Sequence, residues 1–386
     1  MSRWRRILRP VGEQDLPVAD LMQFEALARP RLSQMAYDYV RSGGADEITM
    51  RENRLGFERL RLAPNVLMDV SQLDTRVTLF GNELEHPILL APIAYHRLYH
   101  AEGELATARG ASAAGAAMVV STFTTTTIDQ IAQNTHRPIW YQLYVQRDRE
   151  FTKDMVQRAM AAGCKAVCVT ADTPVLGCRY GQLAFGLPSN MECVHLRGLE
   201  QRNPIPAHNS KRGGIYDPIF DPSFNWRDLE WLRSVARVPV IVKGVLAAED
   251  GKRAVEHGAD GVIVSNHGGR NLDLVPASID ALPRIVDAVA GRIPVMLDSG
   301  IRRGTDVLMA LALGAKAVFV GRPYIYGLAL GGAKGVERVI NILRSEFERA
   351  MALTGRRSIA EIDGSVLWKH SGTPEQKTLR SPAAGA

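Results

Sequence analysis

Eight short apolar runs, each halted by glycine or polar residues, recur between residue 86 and residue 322 of this chain. They occupy 86–92, 117–121, 139–144, 166–172, 239–244, 261–267, 294–300 and 317–322, with helical patterns between most of them. A short apolar run that stops at polar residues reads as a buried strand. Several of the intervening helical patterns end in a glycine just before the next strand, at Gly115, Gly163, Gly258 and Gly314. Glycine there supplies the left-handed cap that turns a helix back towards a parallel strand. Eight strands that are apolar on both faces, alternating with helices, predict an α/β fold, a (β/α)8 TIM barrel.

The 386 residues allow such a barrel as one domain. Residues 1–85 precede the alternation and read as an amino-terminal cap packed on the barrel, with a helix over 32–41 that carries Tyr37 and Tyr39. The barrel spans 86–360, and 361–386 is a tail. The segment 177–223 follows the fourth strand and is rich in Pro, Gly, Asn and Arg, the composition of a mobile lid.

The formal charge of +6 comes from scattered arginines and lysines with no aromatic-interleaved basic tract, so nucleic-acid binding is not expected and anionic small ligands are. Four cysteines without zinc-type spacing predict neither a disulfide scaffold nor a metal site, and point to a reducing, cytoplasmic setting. Arg3, Arg5 and Arg6 are followed by Pro10 and acidic residues instead of the apolar segment of a signal peptide, and no run is long enough to span a bilayer.

In this fold the carboxyl ends of the strands carry function. Reading them off gives Ala94 and Tyr95, Ser121 and Phe123, Gln142 and Tyr144, Thr170 and Asp172, Lys243, His267, Asp298, and Gly321 with Arg322. The sixth run delivers Ser265-Asn266-His267-Gly268-Gly269-Arg270-Asn271. His267 can exchange a proton near neutral pH, and the fixed charge of Arg270 suits a carboxylate. Acid/base chemistry on an anionic substrate is the expectation. Gly300, Arg302, Gly321 and Arg322 follow the last two strands, where TIM barrels commonly bind phosphate.

Residues 264–273, the segment Asp298-Ser299-Gly300-Ile301-Arg302-Arg303-Gly304-Thr305-Asp306, and the runs Tyr141-Gln142-Leu143-Tyr144, Thr170-Ala171-Asp172-Thr173-Pro174 and Met35-Ala36-Tyr37-Asp38-Tyr39 resemble the FMN-dependent L-2-hydroxy acid oxidases and dehydrogenases. The resemblance covers residues 20–360 or so, in ordered motifs. It implies oxidation of an L-2-hydroxy acid to the 2-oxo acid, with O2 as electron acceptor and H2O2 as product.

On that resemblance His267 is the base, flavin N5 the hydride acceptor, and Asp172 the carboxylate that stabilises the imidazolium; the blander alternative for Asp172 is a strand-end cap. Arg270 and Arg179 would grip the substrate carboxylate, Tyr39 would add a hydrogen bond, and Tyr144 would bond the substrate oxygen. Phe123 and Tyr95 would line the substrate pocket. Lys243, at the end of an apolar strand, needs a partner: the N1–C2=O edge of the flavin on the resemblance, or an internal carboxylate. Pro92, Ile93, Ala94, Ser121, Gln142, Thr170, Ser265 and Asp298 would complete the FMN cradle, although Ser121, Gln142 and Thr170 could equally satisfy buried backbone. Relatives also suggest a homotetramer.

Three positions depart from the family's usual pattern: Asn271 replaces glutamine, Ser299 replaces glycine, and Phe123 stands where tryptophan is common. The segment Ala91-Pro92-Ile93-Ala94-Tyr95-His96-Arg97 is closer to the bacterial hydroxymandelate-oxidase type, which makes an aromatic substrate plausible. The rival readings are a dehydrogenase passing electrons to a quinone or cytochrome, a flavin-free phosphate-binding barrel lyase with Lys243 as Schiff-base lysine, and a non-catalytic sensor.

Overall fold

A computed structural model describes residues 20–182, 191–199, 215 and 220–368. A small antiparallel hairpin comes first, β1 (Val77–Leu79) and β2 (Asn82–Leu84). All eight apolar runs then form strands: β3 (Ile88–Leu90), β4 (Met118–Val120), β5 (Ile139–Leu143), β6 (Val167–Thr170), β7 (Val240–Val245), β8 (Gly261–Val264), β9 (Val295–Leu297) and β10 (Val318–Val320). They pair in parallel in sequence order, and β10 closes on β3 through Val318↔Ile88 and Val320↔Leu90. The predicted (β/α)8 barrel is therefore the observed fold.

Strand side chains alternate between two cores, as period-two geometry requires. Leu89, Val119, Trp140, Cys168, Ile241, Ile263, Met296 and Phe319 fill the barrel interior, and Leu79 and Leu84 of the hairpin pack into the same cluster. Their neighbours Leu90, Val120, Tyr141, Val169, Val242, Val264, Leu297 and Val320 face outwards into the larger core shared with the helices. The hairpin was not anticipated. Its Phe80 meets Trp140 edge-on at 5.5 Å between ring centres and stoppers the barrel at the end opposite the site.

The four helix-ending glycines all have positive φ, between 75° and 101°. The cap helix expected over 32–41 begins later, at Gln34, because the Ser33 hydroxyl accepts the Ala36 N–H and fixes the start there. A second cap helix, Ile48–Arg59, lies against helix Ser278–Val289 of the barrel. The last helix, Arg322–Leu353, is broken at Gly331 and Gly332, and folds back so tightly that a Cβ on Gly335 would sit 1.8 Å from the Gly327 carbonyl oxygen. All four cysteines are free. Of the proposed lid, residues 183–190, 200–214 and 216–219 lie outside the described residues. Among the described residues no helix is long and apolar enough to cross a membrane.

Candidate active site

Where β8 ends, the chain enters a turn in which His267, Gly268 and Gly269 all take left-handed backbone, with φ of 60°, 68° and 70°. A histidine rarely adopts that conformation, and such residues concentrate at functional sites. Each N–H of the turn is held: His267 donates to Ser265 Oγ at 3.0 Å, Gly268 to Ser299 Oγ at 3.0 Å, and Gly269 to Asn266 Oδ1 at 3.0 Å. Asn266 is braced in turn by Asn53 of the cap through reciprocal amide bonds of 2.9 and 2.7 Å. The turn thus presents the imidazole from a rigid base.

His267 Nδ1 lies 3.0 Å from Asp172 Oδ1, and its Nε2 faces the Tyr144 hydroxyl at 3.4 Å. The contact with Asp172 fixes the tautomer, leaving Nε2 free of its proton and able to take one. Burial pushes the His267 pKa below the ordinary imidazole value, with Lys243 and Arg179 acting in the same direction and Asp172 opposing them. The ring is therefore neutral and basic at neutral pH. Burial would raise Asp172, but the partnership with His267 and the Lys243 ammonium outweigh it and hold the carboxyl at about 2. The bulge at the end of β7 makes room for this carboxylate: Gly244 has φ of 107°, and a Cβ there would come within 2.5 Å of the Asp172 Cβ.

Thr173 and Asn271 support the pair. The Thr173 hydroxyl donates to Asp172 Oδ1 at 3.0 Å, and Asn271 Nδ2 reaches the Asp172 carbonyl at 2.9 Å and Thr173 Oγ1 at 2.6 Å. Neither was singled out for this role from the sequence, although Thr173 adjoins Asp172.

His267 and Tyr144 open onto one cavity of about 640 Å³ at the carboxyl ends of the strands, within the usual size range of small-molecule sites. Tyr144, His267, Arg179 and Arg270 are among its lining. Arg270 donates to the Ser42 carbonyl at 2.6 Å and lies 5.4 Å over the Tyr39 ring, while Arg179 Nε donates to the Arg270 carbonyl at 2.9 Å. Neither guanidinium is ion-paired among the described residues, and burial with mutual repulsion lowers Arg179 to about 10. Two neighbouring cations without an anion suit a bound carboxylate. Beside them Phe123 stacks on Tyr95 at 6.1 Å and on Tyr144 at 5.0 Å, and Phe220 meets both Phe123 and Tyr144 edge-on. Phe220 was missed because it sits in the irregular segment, where no periodicity marks it.

Pro92, Ile93, Ala94, Ser121, Gln142 and Thr170 line it as well. Ser121 Oγ donates to Gln142 Oε1 at 3.1 Å, and Gln142 Nε2 to Thr170 Oγ1 at 2.9 Å, so the three form one polar strip. Lys243 ends this strip. Its Nζ lies 3.1 Å from Asp298 Oδ2 and donates to Ser265 Oγ at 2.9 Å. The internal carboxylate weighed for this lysine is thus present. Burial works against the ammonium, but Asp298 and Asp172 more than compensate and keep Lys243 charged. Of the residues singled out in the sequence, Asp172 and Ser265 stand behind the lining, holding His267 and Lys243.

Gly300, Arg302, Gly321 and Arg322 also line the cavity, and Arg322 shares the Ser42 carbonyl with Arg270. Arg322 reaches three carbonyls, of Val40, Gly268 and Ser42, at 3.0, 3.0 and 3.2 Å. Burial and the charges of Arg270 and Arg302 push it down to about 9. Among the described residues no carboxylate pairs with Arg302 or Arg322. Two half-buried guanidiniums without a carboxylate partner among the described residues, beside glycine backbone, suit a multivalent anion such as phosphate.

Residues 28–369 match the family model described as FMN-dependent dehydrogenase. The L-lactate oxidase of Nostoc sp. is 47% identical over 357 residues, 90% of this chain and 97% of that protein. Glycolate oxidase 3 of Arabidopsis thaliana is 44% identical over 361 residues, 93% of this chain and 98% of that protein. Among solved structures, mandelate oxidase with (S)-2-phenylpropionate superposes with a TM-score of 0.82 at 37% identity, covering 91% of this chain and 98% of that one.

Proposed function

This chain belongs to the FMN-dependent dehydrogenase family, and we propose that it is an oxidase that converts an L-2-hydroxy acid into the 2-oxo acid and releases H2O2. The observation that carries the reading is the neutral His267, backed by ionised Asp172, opening onto a cavity lined by Arg179, Arg270, Arg302 and Arg322, none of them paired with a carboxylate among the described residues. One pair, Arg179 and Arg270, suits a carboxylate, and the other, Arg302 and Arg322, suits the FMN phosphate. The donor set thus fits FMN, with Lys243, Gln142, Ser121 and Thr170 available to its polar edges.

FMN, when bound, supplies the acceptor for the two electrons that leave C2 of the substrate and passes them to O2. The chain supplies the rest. Arg270 and Arg179 hold the carboxylate and so orient C2, with the Tyr39 side chain against Arg270. His267 Nε2 removes the hydroxyl proton, and Asp172 stabilises the imidazolium that results. Tyr144 donates to the oxygen that becomes the 2-oxo group. The wall of Tyr95, Phe123, Tyr144 and Phe220 receives the C2 substituent and supports an apolar or aromatic one.

The oxidase names of the curated relatives support O2 as acceptor over a quinone or cytochrome. The proposal extends to a cytoplasmic homotetramer, supported by four free cysteines and by the family resemblance. The test is oxygen uptake and peroxide release with glycolate and with both enantiomers of lactate and mandelate. Turnover of L-acids without an added acceptor supports the oxidase; turnover only with an artificial electron acceptor makes it a dehydrogenase.

A further inference from the structure

Ser299 carries a side chain in a conformation that favours glycine, with φ of 75°. Its hydroxyl makes two contacts: it donates to Asp298 Oδ1 at 2.7 Å and accepts the Gly268 N–H at 3.0 Å. Asp298 turns its other oxygen to Lys243 Nζ at 3.1 Å, Lys243 donates to Ser265 Oγ at 2.9 Å, and that oxygen also accepts the His267 N–H at 3.0 Å. The contacts close into a ring. It runs from the Lys243 ammonium through Ser265 to the His267–Gly268 backbone, then through Ser299 and the Asp298 carboxylate back to Lys243.

The ring joins two things that the mechanism needs separately. One is the left-handed turn that aims His267, and the other is the buried cation beside the cofactor cavity. Glycine, the family's usual residue here, would allow the backbone but leave Gly268 N–H and Asp298 Oδ1 without this hydroxyl. A hydroxyl donated to a carboxylate draws off part of its negative charge and leaves less to pair with the lysine.

We propose that Ser299 is a positioning residue that clamps the His267–Gly268 turn to the Lys243–Asp298 ion pair and leaves more of the Lys243 charge to act on the FMN ring. This rests on the reading above that His267 is the base and that FMN lies against Lys243. Removing the hydroxyl lets Asp298 neutralise Lys243 more fully, so the reduced, more negative flavin loses stabilisation and the midpoint potential falls. The turn also loses one of its three anchors.

Ser299→Gly is the clean deletion, because glycine adopts the same backbone without strain. In the FMN-loaded enzyme it is expected to lower kcat about threefold to tenfold, roughly what the lost bond to the Gly268 N–H is worth, with KM within about twofold of wild type. The flavin midpoint potential is expected to become more negative, and Ser299→Ala, which keeps the Cβ but loses both bonds, is expected to shift it the same way. An unchanged or more positive potential in both variants overturns the proposal whatever kcat does. Failure of wild-type enzyme to oxidise any 2-hydroxy acid would sink the functional reading instead, while the potential still decides the ring.

Discussion

When His267 takes the substrate proton, a charge pair forms across its 3.0 Å contact with Asp172, and replacing Asp172 by Asn removes the negative half. Two unit charges at that separation attract by about 5 kcal/mol in an effective dielectric near 20. Both charges are delocalised, and side-chain exposures of 19% and 13% admit some water, so about half of that is realised. A loss of about 2.5 kcal/mol in the transition state is roughly a 10²-fold fall in kcat/KM. Fold and ring orientation are expected to survive, since Asn271 holds the backbone carbonyl of residue 172 and the new amide oxygen can still accept from Nδ1–H. The pH profile gives a second reading with a definite sign. Asp172 raises the His267 pKa against burial, so its removal moves the acid limb of kcat/KM to lower pH. The assay is kcat/KM for L-lactate across pH 4 to 9 or so, on protein whose visible spectrum shows retained FMN. A change of less than about twofold, or an acid limb moved upward, would refute the argument.

Arg270→Lys keeps the charge but loses the planar fork that grips a carboxylate, so KM is expected to rise by about 10- to 100-fold with a smaller fall in kcat; equal effects on both would contradict a binding role. Arg322→Ala is expected to weaken FMN about 10- to 100-fold and riboflavin hardly at all, by removing one of the two half-buried cations proposed to hold the phosphate; isothermal titration with both flavins decides it. Gly335→Ala places a methyl 1.8 Å from the Gly327 carbonyl and is expected to cost about 3 kcal/mol in urea unfolding. Wild-type stability in that variant would mean that the two arms of the final helix do not cross as described.

The barrel was legible because its strands are apolar on both faces and punctuated by capping glycines, two signals that do not depend on distant contacts. The hairpin 77–84 was not, since three-residue strands of mixed polarity carry no clear period. At the site, reading the last residues of each strand collected the lining from Ala94 to Arg322, because the fold itself delivers strand ends to one cavity. What escaped were contacts made across long sequence separations. Ser42 offers its carbonyl to Arg270 and Arg322, and Asn53 braces Asn266 from 213 residues away. Ser299 could be noted only as a departure from glycine. Its two hydrogen bonds depend on where Asp298 and Gly268 come to lie, which only the assembled barrel decides.

The central claim is that the cavity binds FMN and that its bound 2-hydroxy acid gives up a proton to His267 and two electrons to the cofactor. Anaerobic mixing of the FMN-loaded protein with L-lactate and with L-mandelate, followed by admission of air, tests it most directly. Loss of the flavin's visible absorbance is expected with at least one L-acid, with rapid recovery in air and one H2O2 per 2-oxo acid, and near-complete loss of bleaching in His267→Gln. Undiminished bleaching in His267→Gln, or none in wild type with any 2-hydroxy acid, would contradict it.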